Sequence, residues 1–124
     1  MGVYSGIAQD NVTITSGQAI LQRLRLTTDA PVTKTADFTV ADSESMLINN
    51  KSGSACTVTL PAAASWTGRR LVIKTVQAQA VNSASSNVVP RAGGAAGTAI
   101  LTNTAGNWAE LVSDGTNWVI MAGS

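Results

Sequence analysis

The stretch Asn107-Trp108-Ala109-Glu110-Leu111-Val112-Ser113-Asp114-Gly115-Thr116-Asn117-Trp118-Val119-Ile120-Met121 decides the fold. Two β-prone runs flank Asp114-Gly115, one of the better short-range signals for a β-hairpin. The aspartate tolerates a positive φ and hydrogen-bonds its own turn, and the glycine takes a left-handed position without strain. Asp114, Gly115 and Asn117 therefore form the turn, and Trp108, Leu111, Trp118 and Ile120 are expected in a core or an interface. A two-residue and a four-residue loop would give different registers, and the apolar faces do not choose between them.

Outward from the hairpin, period-two alternation dominates. Cys56-Thr57-Val58-Thr59-Leu60 turns Cys56, Val58 and Leu60 one way and the threonines the other. Pro61 ends that strand because it has no ladder donor. Leu71-Val72-Ile73-Lys74-Thr75-Val76 is a strong β run, with Val72 expected in the core or an interface. Shorter strand patterns lie at Asp37-Phe38-Thr39-Val40, Ser45-Met46-Leu47-Ile48-Asn49, Val88-Val89 and Thr98-Ala99-Ile100-Leu101-Thr102. Ala62-Ala63-Ala64 suits one helical turn, but Gly68 follows too soon for a helix. Residues 77–86 and 91–97 are expected to be loops. Many short strands with Gly, Pro and Asn turns point to an all-β head, a compact sandwich or barrel of short antiparallel strands. The echo of Gly106-Asn107-Trp108 in Thr116-Asn117-Trp118 belongs to the two arms of one hairpin, not to a solenoid period.

Residues 27–35, with Pro31, form a polar connection that divides an N-terminal arm, 1–30, from the head, 31–124. In the arm, Asn11-Val12-Thr13-Ile14-Thr15 alternates with Val12 and Ile14 on one face. Ile20, Leu21 and Leu24 have helical spacing, whereas Leu24 and Leu26 alternate with Arg23 and Arg25. Residues 18–26 are thus strand or helix.

Of the 124 residues, 44% are hydrophobic but only 12% are charged, about half the usual ~25%. Thr, Ser, Ala, Asn and Gly replace the missing charge. This composition argues against disorder, which requires low hydrophobicity and high net charge. It also leaves few charges to solubilise a monomer, which favours an oligomer. The chain has no histidine, which removes His-dependent relays and the commonest zinc ligand. Its single cysteine, Cys56, forms no internal disulfide and is expected to be a free thiol in a reducing compartment. A net charge of +1 gives no footprint for nucleic acid. No run approaches the ~18 apolar residues of a membrane span, and the N-terminus lacks the pattern of a signal peptide. Neither a metal nor a cofactor is expected.

Candidate chemistry is sparse. Asp37, Asp42 and Glu44 cluster in sequence, as do Glu110 and Asp114, but turn and solvent-face roles explain them better than paired acid catalysis. Gly93-Gly94-Ala95-Ala96-Gly97 lacks the Lys-Ser/Thr end of a phosphate loop. Arg69-Arg70 is too short a run for a nucleic-acid stripe. Trp66 and Arg91 are the candidate contacts for a receptor or sugar, together with the two loops.

Four segments in order resemble bacteriophage virion fibre domains of the tail-fibre and head-fibre type. They are Val32-Thr33-Lys34-Thr35-Ala36-Asp37-Phe38-Thr39-Val40-Ala41-Asp42, Cys56-Thr57-Val58-Thr59-Leu60-Pro61-Ala62-Ala63, Gly68-Arg69-Arg70-Leu71-Val72-Ile73-Lys74 and Leu111-Val112-Ser113-Asp114-Gly115-Thr116-Asn117-Trp118-Val119-Ile120. The resemblance covers roughly residues 32–121. Where family members often carry a T-I-D-G type segment before the last strands, this chain has Gly94-Ala95-Ala96-Gly97-Thr98-Ala99-Ile100 without the aspartate, so the resemblance says nothing about the course of that loop.

The resemblance implies a non-catalytic β head, commonly homotrimeric, displayed on the virion surface as a fibre, knob or capsid decoration. The arm, through Val12, Ile14, Ile20, Leu21, Leu24 and Leu26, would then anchor it to capsid, neck or tail proteins. The alternative is a receptor- or carbohydrate-binding tail-tip module facing a host-surface glycan. Neither reading involves nucleic acid or membrane insertion.

Overall fold

The computed structural model describes residues 30–124. The arm expectations for Val12, Ile14, Ile20, Leu21, Leu24 and Leu26 lie outside the described residues. In chain order the elements are β1 (Val32–Lys34), β2 (Phe38–Thr39), β3 (Met46–Asn49), β4 (Cys56–Thr59), a 3-10 turn (Ala63–Ser65), β5 (Arg70–Thr75), β6 (Val81–Ser83), β7 (Val88–Val89), β8 (Ala99–Leu101), β9 (Trp108–Ser113) and β10 (Trp118–Gly123). A six-stranded sheet has the order β1-β3-β5-β9-β10-β7, and a four-stranded sheet has the order β2-β4-β6-β8.

The two sheets share one core, so the head is an all-β sandwich. Leu47, Leu71, Ile73, Ala109, Leu111 and Trp118 enter it from the larger sheet, and Cys56, Val58, Val81, Ile100 and Leu101 from the smaller. Alternation dictates this: β4 buries Cys56 and Val58 and exposes Thr57 and Thr59, and Leu60 follows inward. In β5, Leu71 and Ile73 are fully buried between exposed Arg70 and Lys74. Burying each is worth about 1.5–3 kcal/mol. A one-residue slip would turn Arg70, Val72 and Lys74 inward in their place and bury two charges, so the core fixes the register.

Strand direction departs from expectation. Five pairings are parallel (β1 with β3, β3 with β5, β2 with β4, β4 with β6, β7 with β10) and three are antiparallel (β5 with β9, β9 with β10, β6 with β8). The cause is the winding. From β1 to β6 the chain alternates between the two sheets, so it re-enters each sheet running the same way. Val32 pairs with Leu47 and Leu47 with Ile73, at unequal intervals, so the stacked coils leave no sequence period.

Two expected connections contain strands. Residues 27–35 include β1, and the small polar run 77–86 includes β6, whose Val81 and Ser83 point inward. Pairing to β4 and β8 holds β6 in place, and buried Ser83 donates from Oγ to Asn87 Oδ1 at 2.6 Å. The hairpin takes a four-residue loop: Ser113 pairs with Trp118 and Leu111 with Ile120, with a bulge at Glu110/Leu111. Asp114 Oδ1 accepts from the backbone N–H of Thr116 at 2.8 Å and of Asn117 at 2.7 Å, and Gly115 sits at φ +93°. These bonds require the wider loop.

Candidate functional site

Three regions carry the side chains singled out in the sequence. The first is the end of the sandwich where the 3-10 turn meets the hairpin. Pro61 stops β4, the turn folds over, and Gly68 at φ +82° sends the chain into β5. Ser113 Oγ donates to the Ala63 carbonyl at 2.6 Å, and Trp118 Nε1 donates to the Pro61 carbonyl at 2.9 Å. Trp66 meets Trp118 edge-on with centroids 5.9 Å apart. The Arg69 guanidinium lies 3.4 Å from the Trp66 ring centre and donates to Asp42 Oδ1 at 2.7 Å and to the Asp42 carbonyl at 2.6 Å.

Trp66 is therefore buried, at 7% exposure, and is not an open platform for a sugar. What this end presents to solvent is the planar Arg69–Asp42 pair. The sequence marked Arg69 only as half of a basic pair, because its stacking partner is fixed by the turn and not by spacing.

The second region is Arg91, exposed just beyond β7, whose Nη1 donates to the Gly123 carbonyl at 2.7 Å. It ties the loop after β7 to the end of β10, and it lies apart from Trp66 in a different element. The two candidate contacts do not form one constellation.

The third region is the pair of outer faces, which differ in chemistry. The smaller sheet presents Thr39, Thr57, Thr59 and Asn82. The larger sheet presents cross-strand rows that are mostly apolar. Ile48, Lys74 and Trp108 form one row, and Met46, Val72, Glu110 and Ala122 the next. Arg70, Val112, Val119 and Val89 form a third. Val72 and Trp108, expected in a core or an interface, lie outside the core on this face; Trp108 is 39% exposed. A sheet with one wet side normally alternates apolar-in and polar-out. The sequence signal was present: Leu71-Val72-Ile73 and Leu111-Val112 are apolar at both parities, which gives a strand two apolar faces.

The carboxylates are committed to structure. Lys51 Nζ donates to Asp37 Oδ1 at 2.8 Å and Lys34 Nζ to Glu44 Oε2 at 2.8 Å; Arg70 Nη1 reaches Glu110 Oε2 at 2.7 Å. The Lys51 bond, then the Thr57 N–H, holds the Asp37 carboxyl below its ordinary range. The Ala41 N–H, then Lys34, does the same for Glu44, and the Asn117 and Thr116 N–H groups do so for Asp114. A general acid needs the opposite shift. Burial, first, and the nearby Asp37 charge push the Cys56 thiol up, away from the thiolate a nucleophile needs. Among the described residues no group of three or more Cys, Asp or Glu side chains is placed to hold a metal ion.

The three lowered carboxyls set a pH dependence. In the unfolded chain they take up protons near pH 4, at their ordinary values, and in the fold only at lower pH. Their contribution is therefore complete at neutral pH and is lost as pH falls from about 4 through the folded values. The midpoint of thermal unfolding should be nearly flat from pH 7 to 5 and fall below 4. Asp37→Asn should flatten that fall, as followed by circular dichroism melts across the pH range.

No family model matches the chain, and no curated protein matches it.

Proposed function

We propose that this chain is a non-enzymatic bacteriophage virion structural protein: a small homotrimeric surface fibre, knob or capsid decoration. Residues 31–124 form the displayed head and residues 1–30 the anchor to capsid, neck or tail proteins. The observation that carries this reading is that the fibre-like segments coincide with the frame of the sandwich. The V-T-L-P-A-A segment is β4 and its proline stop, and G-R-R-L-V-I-K leads into and forms most of β5, at the middle of the larger sheet. The S-D-G-T-N-W segment is the turn of the β9–β10 hairpin beside it. These segments are used to build a rigid body and not to assemble reactive groups, which is what a display role needs.

Deleting residues 1–30 should leave a folded, soluble multimer that no longer joins particles assembled in its presence. Normal incorporation of the truncated chain overturns the anchor. For the receptor-binding alternative, the burial of Trp66 leaves Arg91 with the loop that follows it and the parts of residues 77–86 that flank β6 as its contacts.

A further inference from the structure

We infer that the outer face of the six-stranded sheet is where copies of this chain meet. This rests on the self-assembly in the proposed function and adds the surface that performs it. The two outer faces of one sandwich make the contrast. The smaller sheet is finished mostly with threonine and asparagine, beside Ala99, as a wet face should be, whereas the larger presents exposed Met46 and Trp108 and half-buried Ile48, Val72, Val112 and Val119 around Arg70, Lys74 and Glu110. Met46, Trp108 and Met121, the last at 59% exposure on β10, are among the most exposed large apolar side chains described.

Charge identifies the occupant. Lys34, Lys51, Arg69 and Arg70 are each paired within the chain, to Glu44, Asp37, Asp42 and Glu110. Asp114 is held by its turn and Arg91 by the Gly123 carbonyl. The face thus offers little to a charged polymer and calls for a neutral, apolar complement, which a second copy supplies. On the face, Arg70 and Glu110 neutralise one another. Lys74 makes no ion pair among the described residues and is the cross-strand partner of exposed Trp108. Each copy therefore carries both halves of a cation–π contact, an ammonium and an indole, to offer to the other.

Strands ~4.8 Å apart, with outward residues every ~6.8 Å, give the twelve or so outward positions roughly 400 Å². That is about half of what each partner buries in a standard interface, so the contact between any two neighbours, each turning this face toward a common three-fold axis, is concentration-dependent.

The test uses the full chain and measures mass by light scattering over about 1–100 µM. The variants are Trp108→Lys and Val72→Lys on the face and Thr57→Lys on the opposite sheet. Wild type and Thr57→Lys should be multimeric. The face variants should keep the wild-type circular-dichroism spectrum and dissociate at concentrations at least tenfold higher. Should Val72→Lys lose the fold, Trp108→Lys alone decides. Folded face variants that keep the wild-type mass profile overturn the face assignment and leave self-assembly standing. A wild type that stays monomeric throughout the range overturns both.

Discussion

Replacing Trp118 with alanine is expected to lower stability by about 4 kcal/mol, within the range for large aromatic truncations in a core. Trp118 is fully buried, its indole N–H is satisfied by the Pro61 carbonyl, and its ring supports Trp66. Its backbone also pairs β10 to β7 through Val88 and donates to the Asn87 carbonyl at 2.8 Å. The loss is a large fraction of the ~5–15 kcal/mol that holds a typical domain together. The thermal midpoint should drop by about 20 °C. Trp118→Phe keeps most of the apolar area and leaves the Pro61 carbonyl without a partner, so it should cost only about 1–2 kcal/mol more than a pure area loss. Calorimetric melting of the two variants checks both numbers. A Trp118→Ala chain that melts within a few degrees of wild type would remove this residue from the centre of the core.

Asn49→Ala is the most damaging change expected at a polar position, at about 2–3 kcal/mol. Asn49 and Thr75 are neighbours across β3 and β5, both fully buried. Asn49 Nδ2 donates to Thr75 Oγ1 at 3.1 Å, and Asn49 Oδ1 accepts from the Lys51 N–H at 3.1 Å. Thr75 Oγ1 in turn donates to the Gln77 carbonyl at 2.9 Å. Truncating one partner strands the other in a dry site, at the full desolvation cost of ~1–3 kcal/mol, with a small cavity in addition. Thr75→Val should cost about 2 kcal/mol, and the double variant less than the sum, because the two changes share a bond. Urea unfolding of the three variants measures the coupling, and strict additivity would show that the bond contributes little.

These two sites differ in how far the sequence announces them. Trp118 follows a turn that Asp114 and Gly115 specify by chemistry, and period-two alternation sets it on the same strand face as Ile120. Nothing in Met46-Leu47-Ile48-Asn49 or in Leu71-Val72-Ile73-Lys74-Thr75 says that the final polar residues are buried. They are buried because the strands align in register and each supplies the other's hydrogen bond, which is a long-range fact. The same distinction separates Cys56, Val58 and Leu60, placed inward by alternation alone, from β6, whose small polar residues become a strand only because β4 and β8 flank them. Trp66 shows the reverse error. An aromatic residue beside a glycine-closed turn looks available to a ligand, until Arg69 and Trp118 close over it.

By itself, the sequence determined the all-β class, the inward set of the strongest strands, the turn at Asp114-Gly115, the proline stop after Leu60 and the poverty of charge. These are properties of neighbours one or two residues apart, governed by φ/ψ preference and side-chain alternation. Only the tertiary structure decided which strands are neighbours, that most of the pairings are parallel, that the hairpin loop has four residues, and that one outer face is polar while the other is mostly apolar. Those outcomes depend on pairing between distant segments, where the burial of one shared core outweighs any local preference.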